Sequence, residues 1–412
     1  MSETFRVADA GEIPELARLV GHSFVGRSQE RLEEALAKGP YGRAETLWVG
    51  EEDDLPTSVC HLLRLVQWVG GVQIPTMGLA MVAVSPTHRR RGVARRLVAS
   101  GLRHARERGD LASALYPFRI SFYEGLGYGL AGEAHQYRLP PEALPDAPER
   151  VGVRLAESAA DRRALRDVYD RWVQGENGQL DRDDGEWSKV LEEEGRAAAL
   201  YRGESGEPEG YAIIRYRVDL PPAERFLEVE ERAWLTPAAR RGIYAWLGSL
   251  GDQWRQIAYR AHPDEGFGDA VREPRLPPGS APGWGLWFPS ATLLAGPMFR
   301  LLDVPAAWAA RRVAEDAALT ISLEVSDEQI PENNGAWRLR LEQGRVEVVR
   351  SATQPADATL RTPVRSLSRI YIGALTPSAA VEAGAAEIDR ADVLPRLDAA
   401  LRLRRPWTFD RF

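Results

Sequence analysis

An apolar run, Gly78-Leu79-Ala80-Met81-Val82-Ala83-Val84, passes through a turn at Ser85-Pro86-Thr87-His88 into Arg89-Arg90-Arg91-Gly92-Val93-Ala94. Val93, Ala94, Leu97, Val98, Leu102 and Ala105 then recur at helical spacing, which puts Arg95, Arg96 and Arg103 on the opposite side. A strand that hands over to a helix through an R-x-x-G-x-A corner has few ways to fold. The helix packs on the sheet, and the corner stands at the helix N-terminus, where backbone N–H groups point one way and Gly92 leaves no side chain in front of them. Such a corner is a cradle for an anion such as pyrophosphate.

The arginine density from Arg89 to Arg108 also fits a basic surface patch, for instance for nucleic acid. The whole chain argues against general nucleic-acid binding, with a net charge of -7 and a pI near 5.6, a balance that suits a cationic substrate. Two familiar phosphate loops are excluded at the corner, because neither G-x-x-x-x-G-K-[ST] nor G-x-G-x-x-G is present.

The remaining pattern resembles the acetyl-coenzyme A signature of the GCN5-related N-acetyltransferases. The resemblance implies that Val82, Ala83 and Val84 pair their backbone with the pantetheine arm, and that the loop from Arg90 to Arg95 holds the pyrophosphate. It gives a cofactor set of Val82, Ala83, Val84, Arg89, Arg90, Arg91, Gly92, Val93, Ala94 and Arg95, with Phe118 and Arg119 beyond the helix.

A chain of 412 residues, 44% of them hydrophobic, suits two to four domains with ordinary cores. Cys60 is the single cysteine, which excludes an intrachain disulfide and a thiolate metal cluster and suits core filling. The six histidines show no metal-ligand spacing, so no metal is expected. The N-terminus lacks a signal-peptide pattern. The uncharged runs Leu65 to Thr87 and Leu276 to Phe299 are broken by glycine and proline, so neither is expected to cross a membrane, and a cytoplasmic protein is expected.

The order of patterns is mixed α/β. Strands are expected at about Phe5 to Val7, Thr46 to Glu51 and Ser58 to Val69, followed by a hairpin turn at Gly70-Gly71. A helix is expected at Ile13 to Val20, a strand near Ala112 to Tyr116, and Glu133 to Leu139 is expected to close the first sheet. The proline-rich stretch from Pro140 to Pro148 reads as a linker, giving a first acetyltransferase domain at 1–148. The second segment, 149–289, repeats the order, with a helix near Ala159 to Gln174, strands near Ala197 to Tyr201 and Gly210 to Tyr216, and a helix after Thr236-Pro237. It lacks R-x-x-G-x-A and reads as a degenerate acetyltransferase-like copy without cofactor binding. After a Pro- and Gly-rich loop from Arg272 to Gly285, the third segment at 290–412 shows strands at Ile321 to Val325, Trp337 to Leu341 and Val346 to Val349, and a helix at Pro363 to Tyr371. Asp327, Asn334-Gly335, Trp337 and the run Leu367 to Gly373 resemble sterol carrier protein domains, an α+β fold.

Amine acetylation needs a neutral amine, a polarised thioester carbonyl and a proton for the departing thiolate. Tyr123, after the strand that follows the cofactor helix, is placed to give that proton, since a phenol with a pKa of about 10 stays protonated at neutral pH. Its other reading is a core residue in a cluster with Phe118, Phe122 and Tyr128. Two acetyltransferase-like domains followed by a sterol-carrier-like domain resemble the Eis (enhanced intracellular survival) family over essentially the whole chain. That resemblance makes Tyr123 the general acid and the C-terminal carboxylate, on Phe412, the base. The aromatic ending Trp407 to Phe412 suits a tail folded into a cleft. A carboxylate of pKa about 3.5 works there as much by position as by basicity.

Glu133 and Asp410 are candidates for attracting the amine, or are simply solvated, and Ser23 to Leu36 offers no clear acidic cluster. The expected co-substrate is acetyl-CoA and the expected acceptor an aminoglycoside-like or polyamine-like amine. Protein or peptide lysines are an alternative acceptor, and a lipid or small-molecule carrier acting through the third domain is an alternative class. The family's hexamers imply a homo-oligomer.

Overall fold

The computed structural model describes residues 3–38, 46–272, 275, 289–350 and 355–412. Its strands in chain order are β1 (Glu3–Val7), β2 (Leu47–Glu52), β3 (Leu55–Val69), β4 (Val72–Val84), β5 (Ala112–Leu115), β6 (Gly129–Leu130), β7 (Glu133–Leu139), β8 (Val153–Leu155), β9 (Arg196–Arg202), β10 (Pro208–Tyr216), β11 (Leu227–Trp234), β12 (Ile257–Ala261), β13 (Thr292–Ala295), β14 (Met298–Leu301), β15 (Ala318–Ser326), β16 (Gly335–Glu342), β17 (Arg345–Arg350), β18 (Ala358–Pro363) and β19 (Glu387–Ile388). They form three mixed sheets, ordered β1-β2-β3-β4-β5-β14-β6, then β13-β7-β12-β11-β10-β9-β8, then β17-β16-β15-β18-β19. The fold is mixed α/β, as expected.

Local chemistry accounts for the elements read from sequence. Gly70 and Gly71 take positive φ (56° and 78°) and close a two-residue turn in which Val69 faces Val72, so β3 and β4 form one long hairpin from the first uncharged run. Leu97, Val98, Leu102 and Ala105 of the helix Val93–Glu107 are buried against it together with Leu62, Met77 and Leu79. In β15, Leu319, Ile321, Leu323 and Val325 alternate inward and meet Leu367, Ile370 and Tyr371 of the helix Val364–Tyr371. Trp308, Phe299 and Tyr371 fill the same core. No helix among the described residues is long and apolar enough to cross a membrane. Most of the loop expected from Arg272 to Gly285 lies outside the described residues.

Two expectations are corrected. Glu133 to Leu139 does not close the first sheet: β7 pairs with β12 and β13 in the second. The start of the third segment does not belong to the third sheet either, because β13 joins the second sheet and β14 lies between β5 and β6 in the first. All four residues of β14, Arg300 included, are buried, so this strand needs neighbours on both edges and cover on both faces. Strand pairing therefore crosses the divisions at 148 and 289.

The Asp327 motif is a joint between sheets. Arg300, fully buried, donates to Asp327 at 2.9 and 3.1 Å, and Asp327 also accepts from the backbone of Gln329 and Ile330 and from Asn333 Nδ2 at 2.9 Å. Asn334 brackets the Asp327 backbone, accepting from its N–H at 2.6 Å and donating to its carbonyl at 3.1 Å.

Candidate active site

In the first sheet, β4 carries the geometry on which the corner depends. Val59 pairs with Ala83 and His61 with Ala80, so Met81 and Val82 together oppose Cys60 in a bulge, with Met81 at φ 51°. The thiol of Cys60 is buried beneath it, and burial pushes its pKa up. On its other edge β4 pairs with β5 only from Thr76 to Gly78. Beyond Gly78 the two strands part, and the β5-side edge of Leu79 to Val84 has no strand partner among the described residues. A free strand edge offers alternating N–H and C=O groups to an extended amide ligand. Val82, Ala83 and Val84 lie on that edge.

The corner follows through a single turn at Pro86–His88, with Arg90 at φ 61° and Gly92 at φ 77° leading into the helix at Val93. The N–H groups of the first helical turn have no acceptor inside the helix, so Val93, Ala94 and Arg95 present theirs outward. The arginines divide the work. Arg89 ties the loop down, donating to the carbonyls of His22 at 2.9 Å and Val84 at 3.3 Å. Arg95 donates to the Gly125 carbonyl at 2.8 Å, and Arg96 to the Arg91 carbonyl at 2.8 Å while pairing with Glu3. Arg91 stands 3.6 Å from Glu52. Arg90 is exposed and has no protein partner among the described residues, so it is the side chain free to meet an anion here.

Arg95 also connects the corner to the segment that bears Tyr123. Phe118 is exposed (68%) and Arg119 caps the short helix Ile120–Glu124. Tyr123 is only 3% exposed, with its ring 5.4 Å from Phe118, 4.9 Å from Phe122 and 5.9 Å from Tyr128. The aromatic cluster read from sequence is therefore real, and Tyr123 is part of it. Its hydroxyl has no protein hydrogen-bond partner among the described residues, whereas Tyr128 is tied to Ser113 at 2.6 Å. Burial pushes the Tyr123 phenol up, which keeps it protonated at any physiological pH.

The tail from 402 to 412 is neither helix nor strand, yet it is fastened along its length. Trp407 N–H donates to the Asn177 carbonyl at 3.0 Å and its indole to Glu176 at 3.2 Å. Phe409 N–H donates to Gln179 at 3.2 Å, and Lys189 donates to the Arg411 carbonyl at 3.0 Å. Asp410 accepts from Arg182 Nε at 2.8 Å, while the same guanidinium holds Glu231 at 2.9 and 2.7 Å. Burial opposes the charge on Arg182, but Asp410 and Glu231 outweigh it and hold its pKa above the ordinary value. The tail ends with the Phe412 ring against Gly78, where β4 and β5 part: a Cβ on Gly78 would meet Phe412 Cδ2 at 3.1 Å. Tyr116 completes this contact, its ring 5.5 Å from that of Phe412 and its hydroxyl donating to the Asp410 carbonyl at 2.6 Å. Residues 116–123 thus carry Tyr116 beside the terminal residue and Phe118 beside Tyr123.

Of the two readings for Asp410 and Glu133, an amine attractor or a solvated carboxylate, the solvated one does not hold for Asp410. Asp410 is buried and committed to Arg182, and Glu133 is shared between His135 at 3.2 Å and Arg405 at 3.3 Å. Arg182, Glu231, Asn177 and Tyr116 escaped the sequence reading; each meets a partner tens to hundreds of residues away, which leaves no local pattern to find.

A cleft of about 930 Å³ lies beside the tail, lined by Arg27 from the first domain, by β10 to β12, and by Asp410 and Arg411. The second sheet parts in a similar place. β11 and β12 pair in parallel from Leu227 to Val229 and then part, as β4 and β5 do, but there the chain fills the space itself. Arg232 and Glu265 form a buried pair, Tyr244 donates to Glu265 at 2.7 Å, and Trp407 lies 4.4 Å over the Arg232 guanidinium.

Comparison with known proteins fits this geometry. Residues 4–131 and 178–300 each match an Acetyltransferase (GNAT) domain family, and residues 304–409 match a Sterol carrier protein domain. The N-acetyltransferase Eis of Mycobacterium tuberculosis (strain ATCC 25177 / H37Ra) is 30% identical over 341 residues, 80% of this chain and 79% of that protein. An uncharacterized N-acetyltransferase of Streptomyces griseus is 28% identical over 367 residues, 84% of this chain and 83% of its own length. A GCN5-related N-acetyltransferase from Anabaena variabilis shares the fold with a TM-score of 0.86 at 21% identity, and Eis1 from Mycobacterium abscessus with 0.79 at 21%; each comparison covers both chains completely.

Proposed function

The chain belongs to the Eis family of GNAT N-acetyltransferases, and from that premise we propose that it moves an acetyl group from acetyl-CoA to an amine, with Tyr123 as general acid and the Phe412 carboxylate as base. Acetyltransferases of this fold use acetyl-CoA, which supplies a thioester-activated acetyl group. Two features suit that co-substrate: the free edge of β4 at Val82 to Val84, and the corner from Arg89 to Arg95. Phe118 and Arg119, expected with them from the resemblance, line a hollow with Tyr116, Ser121 and Glu124.

The acceptor enters by the cleft beside the tail. The Phe412 carboxylate takes the ammonium proton, the amine nitrogen forms its bond to the acetyl carbon, the carbon–sulfur bond breaks, Tyr123 O–H protonates the departing sulfur, and the second proton lost by the nitrogen returns through water to the Tyr123 phenolate. N–H groups along the β4 edge suit the oxyanion that develops between those steps. The acceptor class implied by resemblance, aminoglycosides and polyamines, has the size for a cleft of about 930 Å³. The expected setting is the cytoplasm, and the expected assembly a homo-oligomer.

The observation that carries this reading is the seat of the Phe412 ring on Gly78, at the point where β4 and β5 separate. Residues added after Phe412 convert its carboxylate to an amide. Thiol release should then fall to background, while acetyl-CoA binding, read by calorimetry, stays within about twofold; turnover in the extended protein would overturn the assignment. Tyr123→Phe should lower kcat about 10²–10⁴-fold with acetyl-CoA binding retained.

A further inference from the structure

Two aromatic rings close one face of the opening between β4 and β5 at its base. Gly78 and Ala114 are the last residues of the two strands to pair. Met77 and Leu115 pack with the helix Val93–Glu107, so Gly78, Ala114 and, by alternation, Tyr116 belong to the opposite face. There the Phe412 ring lies against Gly78, and the Tyr116 ring lies 5.5 Å from that of Phe412. Tyr116 is tethered at its far end as well, because its hydroxyl donates to the Asp410 carbonyl at 2.6 Å.

Tyr116 also lines a pocket of about 140 Å³ where the first two sheets meet the tail. The pocket surface is largely apolar, with Ala134, Leu294, Ala295, Pro297 and Trp407 among its walls. Its acidic residue, Glu133, is engaged by His135 and Arg405, and Arg260 lines this pocket and the large cleft alike. Tyr116 is 40% exposed, and part of that surface faces the pocket, whereas Phe412 does not line it. Tyr116 therefore stands between the pocket and the terminal residue. The volume is of the order that holds a benzene-sized apolar group, and nothing in the proposed reaction uses it.

We infer that Tyr116 sets the length of the acyl group that the protein transfers: its ring confines the thioester to acetyl, and a smaller side chain there admits a longer acyl chain into the apolar pocket beyond. This rests on the reading that the Phe412 carboxylate takes the proton of the attacking amine. The acyl carbon that the amine meets then has to stand beside Phe412, and hence beside Tyr116. The bonds made and broken are those of acetyl transfer whatever the chain length. One methylene more or less in an apolar pocket changes discrimination by about 10–200-fold.

The test is calorimetric titration of the full-length protein, without acceptor, with acetyl-CoA, butyryl-CoA and hexanoyl-CoA. The unaltered protein should bind acetyl-CoA about 10-fold or more tighter than hexanoyl-CoA. Tyr116→Ala should erase or reverse that preference, and Tyr116→Leu, which puts the packing of the tail at less risk, should shift it in the same direction with butyryl-CoA gaining most. Tyr116→Phe keeps the ring and should keep the preference. In the Tyr116→Ala background, Ala134→Leu fills the pocket and should restore the preference for acetyl-CoA. Equal binding of acetyl-CoA and hexanoyl-CoA by the unaltered protein, or a preference that survives both Tyr116→Ala and Tyr116→Leu, would overturn the inference. So would a loss as large in Tyr116→Phe, which would assign the effect to the hydroxyl and its hold on the tail. Thiol release with one amine and the three thioesters reads the reaction separately: acetyl-CoA that binds without release counts against Tyr123 and Phe412, while the binding comparison still decides the role of Tyr116. Acetyl-CoA that does not bind at all would sink the cofactor reading and the inference with it.

Discussion

His262 shows how one side chain ties the tail to solution conditions. Its Nδ1 accepts the Asp264 N–H at 2.9 Å, which makes Nε2 the protonated nitrogen, and Nε2 donates to the Arg405 carbonyl at 2.8 Å. Adding a proton at Nδ1 would break the first contact, and burial lowers the pKa to about 4. In the unfolded chain the same imidazole titrates near its ordinary value of about 6.5. Between those values the unfolded state binds a proton that the folded state refuses, so the stability contribution is complete above about pH 6.5 and is lost as pH falls toward 4. His61, with its buried Nε2 unpartnered and its pKa also lowered to about 4 by burial, adds a second term of the same sign. The melting temperature should fall from pH 7 to pH 5, and His262→Gln should flatten that dependence; an unchanged slope would remove His262 from the account. Neither histidine was legible as more than a residue without metal spacing, because its burial depends on partners such as Arg405 that sit far along the chain.

At the scale of elements, the corner and its helix were the most legible part of the molecule, since each local preference there agrees with the final geometry. Gly92 has a position only glycine holds cheaply: φ is 77°, and an added Cβ would lie 3.0 Å from Arg96 Nη1. Gly92→Ala should cost on the order of 1 kcal/mol in stability and weaken CoA binding, with Arg96 displaced from the Arg91 carbonyl. Arg90→Ala should weaken CoA binding severalfold without a change in melting temperature, because its side chain holds nothing else together; unaltered CoA affinity would move the anion contact elsewhere. The tail was legible only as an aromatic ending. Its path follows from Arg182, Asn177 and Gln179, polar residues whose role appears once residues 176–182 lie alongside β3, where Trp68 N–H donates to the Gln179 carbonyl at 2.8 Å. The bulge at Met81 is likewise invisible in a run of apolar residues, because it is set by the register against β3.

For the whole molecule, three consecutive segments could be read from linkers and pattern changes, and three sheets are present. The assignment of strands to sheets could not be read that way. β7 and β14 are short, and nothing in seven or four residues distinguishes one sheet edge from another; burial on both faces and long-range packing decide it. The Arg300–Asp327 pair locks the result, joining the next-to-last strand of the first sheet to the third domain with both charges out of water. Asp327→Ala leaves a buried guanidinium unpaired and should destabilise the protein by about 3–5 kcal/mol, with loss of sharp cooperativity between the first and third domains in urea unfolding. A small, cooperative shift would show that the joint is peripheral.

The insertion of β14 between β5 and β6 has a further consequence for how the protein is made. Residues 4–131 have the outline of a transferable module, but the strand between β5 and β6 is supplied from beyond the second domain. At about 5–20 residues per second, synthesis of the chain between Leu115 and Met298 takes on the order of 10–40 s. During that time β5 and β6 emerge with edges that await a partner still untranslated. The same wait means that recombination cannot graft this acetyltransferase unit alone: an exchange that carries the cofactor corner has to carry the residues of β14 as well.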